Sequence, residues 1–156
     1  MKKKLAAMME WIRPAGIVIV FFFAYYFGKN PVEVLHILGP FMVIVMAGTI
    51  SFESLFLGEI ASEKIGYKPN RAYQIQSGLN NLATTLAAIM VYALNWGKYA
   101  DATVLSVYLF FQLLSGCNHA RTIFTEKNYT KVNLMRPILT VILLAALVPH
   151  IVMALK

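Results

Sequence analysis

The chain is poor in charge and nearly devoid of cysteine. Only 13% of its residues are charged, whereas 59% are hydrophobic; a soluble domain carries roughly twice that share of charge. The single cysteine, Cys117, excludes an intramolecular disulfide and any Cys-x-x-Cys redox pair. Three separated histidines, His36, His119 and His150, offer no recognisable metal-ligand spacing. There is no Gly-rich phosphate loop and no serine-nucleophile elbow. No basic stretch is interleaved with aromatics as a nucleic-acid surface would be. No repeat, low-complexity linker or separate soluble domain is apparent. No small-x-small cleavage site follows the first apolar run, so that run is expected to be an uncleaved span.

What is present is apolar surface in excess. A chain of 156 residues cannot hide it all in a core, so lipid is the expected solvent of the outer surface. The reading is an all-α, polytopic integral membrane bundle. It forms one transmembrane domain over 1–156, with five spans at about 14–28, 32–57, 72–96, 102–124 and 134–155. The first span is short for a hydrocarbon core of ~30 Å and is able to begin nearer Leu5. Trp11 suits the headgroup level, and Glu10 and Arg13 are spaced to pair. Pro31 is placed to open the second helix, and Gly39-Pro40 to kink it. Ala61 to Gly66 reads as a separate short interfacial helix.

The net charge of +7 follows the same logic. Lys2, Lys3, Lys4, Arg13, Lys64, Lys68, Arg71, Arg121, Lys127, Lys131 and Arg136 fall in the amino-terminal segment and around the second and fourth loops. Only Lys29, Lys98 and Lys156 fall on the other side, a split of 11 against 3. The positive-inside rule then puts the amino terminus in the cytoplasm and predicts a multi-pass protein of the cell membrane. Anionic headgroups, not nucleic acid, are the partner this charge implies.

Two polar stripes interrupt the apolar helices. On the third, Gln74, Ser77, Asn81 and Thr85 (or Thr84) share one face. On the fourth, Gln112, Ser115 with Gly116, and His119 do the same. Glu53 near the end of the second span and Asn133, Arg136 and Thr140 on the fifth fall on the cytoplasmic half. Polar groups cost several kcal/mol in hydrocarbon unless satisfied, so they should turn inward. The expected candidate site is a cytoplasm-facing cavity of Glu53, Gln74, Asn81, Gln112, His119, Arg121, Asn133 and Arg136. The alternative reading makes the stripes interhelical hydrogen-bond glue, worth ~0.5–2 kcal/mol per contact. His36 and His150 read as interface residues on the outer side, and Cys117 as a small packing residue. Glu53 is open to a ligand or proton role or to pairing with Arg136.

Three segments together resemble an uncharacterised prokaryotic family of small multi-pass membrane proteins, a domain of unknown function. They are Glu59 to Tyr67, ending Ile65-Gly66-Tyr67; Tyr73-Gln74-x-Gln76-x-Gly78-x-x-Asn81-Leu82-Ala83; and Gly116-x-x-His119 followed by Asn128-Tyr129 and Asn133. The resemblance covers about the last two thirds of the chain. It adds Gln76 to the candidate positions, because the family carries Glu where Gln76 stands. It implies architecture and positions but no activity. Arg71 to Asn81 is faintly similar to a helix of the membrane glutathione-transferase and eicosanoid-enzyme family, but the Glu-Asn pair of that helix is absent.

Three classes of function follow. The first is binding or translocation of a small polar or amphipathic ligand, with Glu53 and His119 supplying charge or proton coupling and Arg136 or Arg121 receiving an anionic group. The second is a structural or accessory membrane subunit. The third is an enzyme on a lipophilic substrate, with His119 as acid/base group at an ordinary pKa of ~6.5. No cofactor is expected, and homo-oligomerisation is left open.

Overall fold

Helix ends in this chain are written in short side chains. The computed structural model describes residues 2–156, with the side chains of Lys2, Lys3 and Glu10 excepted. Its helices are α1 (Lys2–Phe27), α2 (Pro31–Ile65), α3 (Arg71–Ala93), α4 (Lys98–Thr125) and α5 (Lys131–Leu155), with no strand among the described residues. Asn30 caps α2, its side chain accepting the N–H groups of Val32 and Glu33 at 3.0 Å, with Pro31 as first helical residue. Asn70 caps α3 by accepting from Tyr73, and Thr130 caps α5 by accepting from Asn133. Gly66 closes α2 in the left-handed region, at φ 85°.

The helices are longer than the expected spans. α1 starts at Lys2 and runs through Pro14, and α2 continues through Gly58 to Ile65. The separate interfacial helix at 61–66 is therefore the last part of α2. The reason is lateral: Gly58 is buried against α3, where an added Cβ would lie 2.5 Å from Gln74 Oε1. The glycine serves close approach and does not break the helix. At 35 residues α2 is ~52 Å long, so its polar final turns extend past a ~30 Å hydrocarbon layer.

Four helices (α1, α2, α4 and α5) are long and apolar enough to cross a membrane. α3 is long enough, at 23 residues, but Gln74, Gln76, Asn80 and Asn81 keep it less apolar than the others. The five-helix architecture agrees with the sequence reading. The apolarity of the third helix falls short of that reading.

α2 is central and packs against each of the other four helices. Leu35, Leu38, Met42, Val43 and Ala47 of α2 meet Leu105 and Tyr108 of α4 and Leu147 of α5 in one buried cluster. Small residues let backbones approach: a Cβ at Gly39 would lie 3.2 Å from the Asp101 carbonyl oxygen, and one at Gly116 would lie 2.9 Å from Thr140 Oγ1. Outward faces carry Val18, Phe22, Phe110, Leu114, Val141 and Ile142, all exposed, as a lipid-facing surface requires.

The loops sort into two ends. The Asn128 amide and the Thr130 hydroxyl both donate to the Ile65 carbonyl, at 2.9 and 2.8 Å, tying the second and fourth connections together. These connections and the helix ends that flank them carry Lys64, Lys68, Arg71, Lys127 and Lys131, so the basic segments share one end of the bundle. At the opposite end Tyr25 of α1 meets His150 of α5 at 2.6 Å.

The knot at Ile65 depends on Gly66. A Cβ there would lie 2.6 Å from Asn128 Oδ1, and the left-handed backbone adds ~1–2 kcal/mol for an L side chain. Gly66→Ala is therefore expected to cost about 2 kcal/mol or more. Equilibrium unfolding in detergent checks this, and an unchanged midpoint would contradict it.

Candidate functional site

The polar residues of the basic end converge where α1, α2, α4 and α5 meet. Two charges come from the antiparallel pair α1 and α2. Arg13 donates to Thr49 Oγ1 at 3.0 Å and forms a close, part-buried ion pair with Glu53. Glu53 thus pairs with Arg13, and not with Arg136. The side chain of Glu10, which the spacing matched to Arg13, lies outside the described residues.

The second half of the site is built on α4 and α5. His119 is buried, and its Nδ1 lies 2.7 Å from Asn133 Oδ1. An amide oxygen only accepts, so Nδ1 carries the proton and Nε2 the lone pair. Arg136 Nη1 donates to that lone pair at 3.4 Å. Tyr67, just past α2, stacks on the imidazole with ring centroids 5.6 Å apart and planes 5° apart, its hydroxyl 3.0 Å from Nδ1. Asn133 is fully buried and donates to the Asn128 carbonyl at 2.9 Å and to Thr122 Oγ1 at 3.2 Å; Thr122 donates to the His119 carbonyl at 2.9 Å. Every polar atom of this knot has a partner consistent with a neutral His119.

The two halves face each other. Arg136 lies within electrostatic reach of Arg13 and Glu53, and of the hydroxyl-bearing rings Tyr67 and Tyr108. Gln112, one face up α4 from His119, donates to the Tyr108 hydroxyl, while its carbonyl accepts from Thr140 at 3.4 Å. Among the described residues this centre carries two guanidinium groups and one carboxylate. With His119 neutral, its formal charge is +1.

The stripe on α3 is elsewhere. Gln74, Gly78, Asn81 and Thr85 are buried, but they face α2. Gln74 Nε2 donates to Ser62 Oγ at 3.0 Å, and Ser51 Oγ of α2 donates to the Gly78 carbonyl at 2.9 Å. Asn81 and Thr85 bond carbonyls of their own helix, Ser77 and Asn81. Gln74 Oε1 is buried without a partner among the described atoms. The expectation that the two stripes line one cavity is corrected: a period of 3.6 groups residues on a face but does not choose the neighbour. Gln76 and Arg121 are exposed and belong to neither group. Cys117 is exposed too, so it is not a packing residue.

Three participants were not singled out as site residues from sequence. Tyr67, Thr122 and Arg13 reach the centre through tertiary contact. The usable signal was a pair of opposite charges, Arg13 and Glu53, on helices joined by the tight Gly28–Pro31 turn. At the far end His36 is also more than an interface residue. It contacts Asp101 at 3.0 Å and stacks on Tyr92 with centroids 5.0 Å apart. Asp101 is fully buried. His150 is likewise buried: its Nδ1–H donates to the Ala146 carbonyl at 2.9 Å, which leaves Nε2 to accept from Tyr25.

Fold and composition define a helical membrane protein with a charged, hydrogen-bonded centre at its basic end. The chain belongs to the Family of unknown function (DUF6790), whose model matches residues 8–156, in agreement with the unknown-function family suggested by its motifs. No curated protein and no solved structure matches it.

Proposed function

We propose that this protein binds a small anionic or amphipathic ligand at the centre formed by Arg13, Glu53, His119 and Arg136, from the cytoplasmic side of the cell membrane. One observation carries the reading. The guanidinium of Arg136 has the uncharged Nε2 of His119 as its hydrogen-bond partner among the described residues, while the carboxylate nearby is engaged by Arg13. A cation held inside a membrane bundle is costly unless an anion offsets it. The remaining N–H groups of the Arg136 fork suit a carboxylate, sulfonate or phosphate oxygen pair. Arg13, within electrostatic reach of Arg136, adds to that preference. The accessory-subunit reading is favoured by the α3 stripe, whose polar groups are spent on α2 and on their own helix.

The test uses purified full-length protein in a neutral detergent. Acetate, methanesulfonate and benzenesulfonate are titrated against acetamide, methanesulfonamide and benzenesulfonamide. At least one anion should raise the thermal midpoint while its neutral counterpart does not. Arg136→Gln should weaken that binding about tenfold or more, the value of one charge-assisted hydrogen bond. Arg121→Gln, at an exposed position, should leave it unchanged. If no anion binds, or if Arg136→Gln binds as well as wild type while still folded, the reading fails.

A further inference from the structure

We infer that the His119–Arg136 contact makes this site take up a proton together with its anion. The inference rests on the anion-binding reading above. Its basis is geometric. Nδ1 of His119 is committed to Asn133 Oδ1, and Nε2 faces Arg136 Nη1 at 3.4 Å. The contact requires the Nε2 lone pair, so it holds only while the imidazole is neutral. Adding a proton at Nε2 turns the acceptor into a donor and sets two cations against each other at contact distance. That state needs an anion between them. An oxygen ligand held by Arg136 would accept from Nε2–H at the same time, so the anion reverses the sign of the interaction that His119 meets.

The surroundings leave this switch in control. α5 presents Arg136 to the imidazole, and the segment after α2 presents Tyr67. α2 and α1 contribute Glu53 and Arg13, which act through Arg136 and are occupied with each other. No carboxylate contacts the ring among the described residues, so no internal anion replaces the ligand. The step is balanced: one proton arrives from water at the basic end, the Nη1–H···Nε2 contact opens, and Nε2–H and the guanidinium share one anion. The substrate class is therefore an anion bound with one proton equivalent, the stoichiometry of a monoprotic acid. Linkage is reciprocal, so a lower pH must strengthen anion binding as much as the anion favours the proton.

Methanesulfonate and benzenesulfonate keep one negative charge across pH 5–8, so their own titration does not interfere. Wild-type affinity for the anion that binds should strengthen as pH falls through the histidine range, by up to about tenfold per pH unit. His119→Gln preserves an amide acceptor and donor but cannot titrate, and its affinity should be flat with pH. Should that variant fail to fold, the imidazole nitrogen resonances of wild-type His119 at pH 6 give the second readout: adding the anion should increase the protonated fraction. Arg136-dependent binding that is flat from pH 5 to 8, with an unaltered His119 signal, overturns the proton coupling and leaves anion binding standing. Absence of binding by acetate and by both sulfonates at every pH overturns both.

Discussion

Glu53→Leu is expected to destabilise the protein by about 3 kcal/mol, the lower end of the cost of removing one partner from a buried ion pair, because the Arg13–Glu53 pair is part-buried. The loss is not that of an attractive contact alone. Arg13 would keep its bond to Thr49 Oγ1, but its charge would have no counterion, with Arg136 within electrostatic reach. The centre would hold two guanidinium groups and no carboxylate among the described residues. The double variant Arg13→Leu/Glu53→Leu removes both desolvated charges and leaves apolar side chains between two apolar helices. It should recover most of the loss, because replacing a whole buried pair is often neutral. The double-mutant cycle would then show a coupling of at least about 2 kcal/mol. Reversible unfolding in mixed micelles measures all four states. A double variant as unstable as Glu53→Leu alone would show that Glu53 acts through something other than Arg13.

The same ion pair shows what was legible in the sequence. The helix ends at Pro31 and Gly66 were, because these are local signals whose chemistry acts within a few residues. So was the sorting of basic segments to one end. That is a property of an alternating chain, and the bonds from Asn128 and Thr130 to Ile65 close it. The site was legible by halves. His119, Asn133 and Arg136 could be grouped because a short loop joins α4 to α5 and fixes their register. Gln74 and Asn81 were grouped with them wrongly, since the side of α3 that is buried depends on α2. The polar stripe marks burial correctly and leaves the partner undetermined.

Arg13 and Asp101 illustrate the other limit. Arg13 reads as a charge at the mouth of a short span, because Pro14 opens the apolar run. In the structure α1 continues through Pro14, so Arg13 lies about midway along a 26-residue helix, beside Glu53. Asp101 reads as a turn residue after Trp96 and Gly97. α4 begins at Lys98, and Gly39 admits its first turns so closely that Asp101 is fully buried against His36. His36 and Gly39 are three apart on one face of α2, a spacing that marks a close approach but not what approaches. In both cases a charge is placed by a helix distant in sequence.

Asn133 is the residue through which the α4–α5 half holds together, and its replacement is the second large effect. Asn133→Leu keeps the volume but removes one acceptor and two donated hydrogen bonds from a fully buried position. The Asn128 carbonyl would lose its Asn133 donor, and the Nδ1–H of His119 would keep only the Tyr67 hydroxyl at 3.0 Å. An unsatisfied buried group costs ~1–3 kcal/mol and a lost hydrogen bond about 1 kcal/mol, so a total of about 2–4 kcal/mol is expected. The Thr122 hydroxyl can still donate to the His119 carbonyl and limits the damage. The effect on His119 is separable from stability. Without Asn133 the Nδ1-protonated tautomer rests on Arg136 at Nε2 and on the Tyr67 hydroxyl, so the other tautomer gains population. In that fraction Arg136 loses its acceptor at Nε2. Nitrogen resonances of the ring should move from one tautomer to an average of two, while Asn133→Gln should retain part of the original pattern. A cost below about 1 kcal/mol with an unchanged imidazole spectrum would mean that Tyr67 and Thr122 orient His119 without Asn133.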